Sequence, residues 1–153
     1  MGLYPKNKDL VSSSILLIIN GILSFWKTRV GLKIAPVGTI EVREGTKAIL
    51  DFAFSQQSNI QSVVLPNSVT SVHIKAFEKC LNLETIVLPN SLSVIEEETF
   101  SNCPKLSSID LPQNVSIIGA NAFRACSSLS HVEWPQQLTN IGANAFYGCT
   151  QLD

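Results

Sequence analysis

The residues best able to do chemistry in this chain are four cysteines, and they stand 23 residues apart: Cys80, Cys103, Cys126 and Cys149. Cysteines can pair as disulfides, hold a soft metal ion or act as nucleophiles. One fixed spacing favours a plainer reading, a column of small, buried free thiols, since free cysteine is among the most buried residue types. If 23 residues make one coil of a stack, neighbouring cysteines lie one strand spacing apart, about 4.8 Å. That brings their Cα atoms into disulfide range, yet parallel Cβ vectors hold the Cβ atoms wider than the usual ~3.8 Å. Disulfides and metal binding stay open behind the buried-thiol reading, and the column says little about redox compartment.

The other reactive residue types do not converge. The two histidines, His73 and His131, occupy different repeat positions, and the spacing suggests no Ser-His-Asp or Cys-His arrangement. No glycine-rich phosphate loop is present. Glu96-Glu97-Glu98 could offer carboxylate oxygens to a divalent cation, but a solvated corner is the simpler expectation, because the equivalent His73-Ile74-Lys75 does not repeat it. Asn114-Val115-Ser116 is a possible glycosylation site at Asn114, relevant only in a secreted chain. No catalytic residue, cofactor or metal is expected, and the chain is not read as an enzyme.

Charge narrows the partners. The 153 residues carry 11 basic and 12 acidic side chains, a formal net charge of −1, so nothing draws the chain as a whole to nucleic acid or an anionic membrane. Only 15% of residues are charged and 45% are hydrophobic, which suits a neutral polar surface around a continuous, elongated core.

The elements that carry these residues follow the same period. Phenylalanine recurs at Phe54, Phe77, Phe100, Phe123 and Phe146, and an apolar residue precedes proline at Leu65-Pro66, Leu88-Pro89, Leu111-Pro112 and Trp134-Pro135. Such a period marks a solenoid, whose units bury their apolar faces only by stacking. In each unit Leu-x-x-Ile-x-Leu predicts a short strand with Leu83, Ile86 and Leu88 inward. Their equivalents are Ile60, Leu106 and Leu129; Val63, Ile109 and Val132; Leu65, Leu111 and Trp134. Proline ends the strand because it has no N–H for the ladder. A second apolar pair (Val69 and Val72, Leu92 and Ile95, Val115 and Ile118, Leu138 and Ile141) predicts a brief strand or turn on the opposite wall. Gly119 and Gly142 are read as bends. Ala-Phe-x-x-Cys predicts one short helical or 3₁₀ turn whose phenylalanines stack. The fold class is a mainly β repeat solenoid, with short parallel strands on one face and turns, 3₁₀ or brief strands on the other.

Leu-x-x-Ile-x-Leu-Pro-x-x-Val-x-x-Ile-Gly-x-x-Ala-Phe-x-x-Cys resembles the 23-residue, treponemal-type leucine-rich repeat of the BspA-like family. The resemblance covers residues 37–153, about five units, and is best over 106–153. It departs in the first unit, where Val42-Arg43 replaces Leu-Pro and Gln57 replaces Cys, and in the third, where Thr99 replaces Ala. It implies an interaction module similar to cell-surface antigens, some of them adhesive, hence a surface or secreted location. The alternative is a cytoplasmic scaffold of the same fold, favoured by free thiols and by the lack of a convincing signal peptide.

Outward strand positions form the expected binding face for a protein or glycan. One column reads Glu41, Val64, Val87, Asp110 and Glu133, and beside it lie Thr39, Ser62, Thr85, Ser108 and His131. The face is apolar in the middle and acidic towards the later repeats. An ordinary solvated sheet face is the competing reading, against which Val64 and Val87 stand as an exposed apolar pair.

The ends are less regular. In the segment 1–36, Leu10–Trp26 is seventeen residues without a charge, preceded by Lys6 and Lys8 and followed by Lys27, Arg29 and Lys33. It is short for a membrane span, which needs about 20 residues, and Phe25-Trp26-Lys27 supplies no small-residue cleavage site. Cap or degenerate repeat, membrane anchor and signal all remain open. One period before Ile40 and Val42 stand Leu17 and Ile19, which continues the strand columns into this segment. At the other end Leu152-Asp153 would begin a sixth unit with no polar cap, so a continuing chain or end-to-end self-association is expected there.

An inward phenylalanine column has a direct consequence. Phe100→Ala is expected to lower stability by about 3–5 kcal/mol as a large-to-small core change, and an unchanged denaturant midpoint would remove the column from the core.

Overall fold

The computed structural model of the protein describes residues 38–153, together with the backbone of two short strands before them. In chain order the strands are β1 (Ile18–Ile19), β2 (Ile22–Leu23), β3 (Gly38–Glu41), β4 (Ala48–Ile49), β5 (Ile60–Val64), β6 (Ser71–Val72), β7 (Thr85–Val87), β8 (Val94–Ile95), β9 (Ser108–Asp110), β10 (Ile117–Ile118), β11 (His131–Glu133) and β12 (Asn140–Ile141). No helix occurs among the described residues. From β3 onward the strands alternate between two walls, and a third wall of turns closes each coil.

The first wall is parallel. β3, β5 and β7 form one ladder and β9 with β11 another, in a register that pairs Ser62 with Thr85, Val64 with Val87, Ser108 with His131 and Asp110 with Glu133. Residues 23 apart are therefore side by side in space. The one irregularity, between Gly38 and Thr39, falls in the first coil, where the repeat is weakest. The two-residue strands β4, β6, β8, β10 and β12 stack the second wall, also in parallel. Between the walls, Pro66, Pro89, Pro112 and Pro135 stop the first-wall strand, and each proline carbonyl accepts the N–H of the residue three later.

The third wall corrects the expected helical turn. It is a run of turns in which alternate residues point their N–H groups in different directions. In the second coil Ala76, Glu78 and Cys80 donate to the carbonyls three residues back, at 3.1–3.2 Å. Lys75, Phe77 and Lys79 instead donate across to Glu97, Thr99 and Ser101 of the next coil, at 2.8–3.1 Å. A 3₁₀ helix would spend every N–H internally; here half of them bind coil to coil. Two residues per coil adopt left-handed backbone to allow this, such as Lys75 and Lys79, Glu98 and Asn102, Asn121 and Ala125.

The core runs between the walls as columns. Successive phenylalanines from Phe54 to Phe146 stack with ring centroids 5.0–5.5 Å apart and planes within 12° of parallel. Leu83, Ile86 and Leu88 are buried, as are their equivalents in the other coils, with one exception. Trp134 sits in the leucine column yet is 46% exposed, and Ile141 is exposed too, because the last coil is covered on one side only. Trp134 meets Phe146 edge-on at 5.4 Å. The irregular positions are accommodated locally: Val42 is buried in the leucine column, and Thr99 is buried with its hydroxyl donating to the Glu96 carbonyl at 2.8 Å.

The apolar segment 10–26 lies largely outside the described residues, so the choice among cap, anchor and signal falls there. Its described backbone, β1 and β2, forms an antiparallel pair, and β2 pairs in parallel with β4. This corrects the extrapolated columns: Ile19 joins the second-wall sheet, not the ladder of β3, while Leu17 lies outside the described residues. No helix among the described residues is long and apolar enough to cross a membrane.

Gly119 and Gly142 stand where the chain leaves the second wall for the turns, as expected of bends, yet neither has a positive φ. They let coils approach: a Cβ on Gly119 would lie 2.7 Å from the Glu97 nitrogen, and one on Gly142 2.5 Å from the Ala120 nitrogen. Both obstacles are backbone and cannot swing aside. Gly119→Ala is expected to destabilise by about 1–3 kcal/mol, the usual cost of overpacking, and a melting temperature equal to the parent's would contradict the close approach.

Candidate functional site

The strand pattern sets the exposed face. In β7, Ile86 turns inward while Thr85 and Val87 point out; β9 and β11 repeat this with Ile109 and Val132 inward. The parallel register then aligns the outward residues into two columns. Glu41, Val64 and Val87 lie side by side on β3, β5 and β7, and Asp110 and Glu133 continue the row on β9 and β11. Val87 is 55% exposed and Val64 is 36% exposed. In the second column Thr85 Oγ1 donates to Ser62 Oγ at 2.9 Å, and Ser108 pairs with His131. His131 Nε2 lies 3.8 Å from Glu133 Oε2. All ten residues of the two expected columns stand at outward strand positions, and none of the five strands carries a lysine or arginine.

Asn114 is exposed in the turn after Pro112, and its Nδ2 donates to the Asn90 carbonyl at 2.9 Å. The acidic run does not gather. Glu96 faces His73 at 3.2 Å, Glu98 faces Lys75 at 3.4 Å, and no cluster able to hold a metal ion is found among the described residues.

Two polar groupings escaped the reading of the sequence. The first joins Ser71, His73 and Glu96: Ser71 Oγ is 3.2 Å from His73 Nε2, and His73 Nδ1 is 3.2 Å from Glu96 Oε1. A hydroxyl–imidazole–carboxylate chain is the connectivity a nucleophile relay needs. Here it lies on the second wall beside an open depression lined by Leu50, Asp51 and His73, and it links two coils together with Lys75 and Glu98. The second grouping is Glu78, which is buried, accepts from Ser55 Oγ at 3.3 Å and pairs with Lys79 at 2.8 Å. The hydrogen bond to Glu78, with its negative charge, raises the Lys79 pKa. The signal for both was present: His73 and Glu96, Ser55 and Glu78 are each one period apart.

The cysteines are four free, buried thiols. Each Sγ–H donates to a phenylalanine carbonyl of the preceding coil, Cys80 to Phe54, Cys103 to Phe77, Cys126 to Phe100 and Cys149 to Phe123, at 3.1–3.2 Å. Burial pushes the Cys80 and Cys126 thiols up to about 12, and raises Cys103 and Cys149 as well. Thiolate is the reactive and metal-binding form, so these groups are packed donors.

With this geometry in view the comparisons with known proteins are specific. Residues 35–153 match the BspA type leucine rich repeat region, in six copies. The chain belongs to the BspA-type leucine-rich repeat family. Among solved structures it is similar to a leucine rich cell surface protein from Faecalibacterium prausnitzii, at 31% identity over 75% of this chain and a TM-score of 0.74. It is also similar to a leucine rich repeat protein from T. pallidum, at 28% identity over 80% of this chain and a TM-score of 0.72. The pneumococcal vaccine antigen PcpA shares the fold, at 22% identity over 75% of this chain and a TM-score of 0.63. The chain spans 30% of the first structure, 64% of the second and 29% of the third. No curated protein matches it. The sixth copy adds to the five first-wall strands that define coils among the described residues.

Thiols with raised pKa values stabilise the fold only while neutral. A folded-state pKa above the unfolded value of about 9 gives stability that is fully present below pH 9 and is lost as pH rises towards about 12. The melting temperature is therefore expected to fall over that window, and less steeply in a Cys80→Ala, Cys126→Ala variant. A parallel decline in parent and variant would assign the alkaline loss to other groups.

Proposed function

We propose that this protein is a surface-displayed interaction module that binds a macromolecular partner through the face of β3, β5, β7, β9 and β11, in the manner of an adhesin. The observation that carries this reading is the neighbouring pair Val64 and Val87, both exposed on a rigid parallel ladder. Two valines held side by side in water favour covering by a partner, and a solenoid offers such a row with little loss of conformational freedom on binding. Similarity to a cell surface protein of a bacterium supports a location outside the cell. The possible sugar attachment at Asn114 belongs to the same reading and would lie off this face, in the turn after β9.

The test combines location and face. A tag placed after Asp153 is expected to stain on intact cells without permeabilisation. Beads coated with the protein are expected to attach to host cells or matrix, and Val87→Arg is expected to abolish attachment while leaving the melting temperature unchanged, since the side chain is solvent-facing. Staining only after permeabilisation would favour an intracellular scaffold, and full attachment by Val87→Arg would take the strand face out of the account.

A further inference from the structure

We infer that the strand face is built to take an extended cationic peptide with the pattern basic–x–apolar–x–basic–x–basic, laid across the strands along the solenoid axis; this rests on the face being the binding surface. The charge pattern points there first. The row Glu41, Val64, Val87, Asp110, Glu133 carries three carboxylates around one apolar pair, and exposed Glu84 adds a fourth just before β7. No lysine or arginine lies within the strands; the nearest along the chain are Arg43, two residues after Glu41, and Lys105, three before β9. The four other basic residues of the described coils are Lys47, Lys75, Lys79 and Arg124, and on the turn wall Glu98 and Glu78 pair with Lys75 and Lys79. Among the described residues the face's own carboxylates have no lysine or arginine ion pair, and Glu133 meets only His131.

Spacing narrows the ligand further. Coils recur about every 4.8 Å, which puts Asp110 about 14 Å and Glu133 about 19 Å from Glu41, with the middle of the valine pair about 7 Å away. An extended peptide directs every second side chain to the same side, at intervals of about 6.7 Å. Four such side chains fall at about 0, 7, 13 and 20 Å, so they meet Glu41, the gap between Val64 and Val87, Asp110 and Glu133 in turn. The two periods come into step over this length. Backbone groups of the peptide then pass over the Ser62, Thr85 and Ser108 column, where hydroxyls can both donate and accept. A neutral glycan would use the hydroxyls but leave three carboxylates without a role, and an acidic partner would be repelled.

The experiment is a peptide array carrying heptapeptides of this pattern, shuffled versions of the same composition, and charge-reversed versions, probed with the full chain; uncharged oligosaccharides are arrayed beside them. The pattern peptides are expected to bind best, and their signal to fall at least tenfold between about 0.05 and 0.5 M salt as charges are screened. Neutralising one exposed ion pair is expected to weaken binding about two- to five-fold, and Asp110→Asn with Glu133→Gln together about tenfold. Equal binding of shuffled peptides, indifference to these changes or to salt, or a signal on oligosaccharides alone overturns the inference. If Val87→Arg removes bead attachment while the two acid changes leave it at the parental level, the face still binds and the cationic-peptide assignment falls by itself. If Val87→Arg leaves attachment intact, the face reading falls first and takes this inference with it.

Discussion

The structure depends on one constraint: coils must stack in a register of 23 residues so that each can satisfy the next. Half of the N–H groups on the turn wall donate to the following coil. Each cysteine thiol donates to the preceding one, and Phe77, Phe100 and Phe123 each lie between the rings of both neighbours. Buried backbone groups must be paired, and here the pairing partner is usually on another coil. No single unit could bury its apolar columns or complete its hydrogen bonds alone. The same dependence explains the last coil, where Trp134 and Ile141 are exposed although their equivalents inside the stack are not.

Stacking also determines what the surface presents. A coil is made of two narrow strand walls and a turn wall, filled by columns of side chains. The first wall presents outward residues on a regular grid, at fixed height and spacing, with backbone positions set by the ladders. The turn wall spends its charges on coil-to-coil pairs such as Lys75 with Glu98, while the strand wall leaves three carboxylates and two valines facing solvent. The division of labour is physical: pairs that bridge coils reinforce stacking, and the strand-wall carboxylates form no ion pair with lysine or arginine among the described residues.

Family membership agrees with that reading at the level of fold and organisation. The repeat type matches over residues 35–153, and the likeness to a bacterial cell surface protein is strong enough to set the architecture.

The sequence by itself determined the period, and with it the fold class, the inward columns and the composition of the outward face, while the free state of the thiols came from the structure. These follow from local rules: a strand alternates sides, proline ends a ladder, and an identical residue every 23 positions must occupy an equivalent place in each coil. What it did not determine were the pairs between unlike residues one period apart. His73 and Glu96 were compared as a failed repetition, when stacking made them a bridge with Ser71. Gly119 was legible as a bend, but its use is to admit the backbone of Glu97. Ala-Phe-x-x-Cys looked helical because its apolar spacing is, yet every second N–H, such as those of Phe77 and Lys79, donates across the stack instead of within the turn. In each case the deciding contact lies between coils, and a distance between coils exists only once the chain has folded.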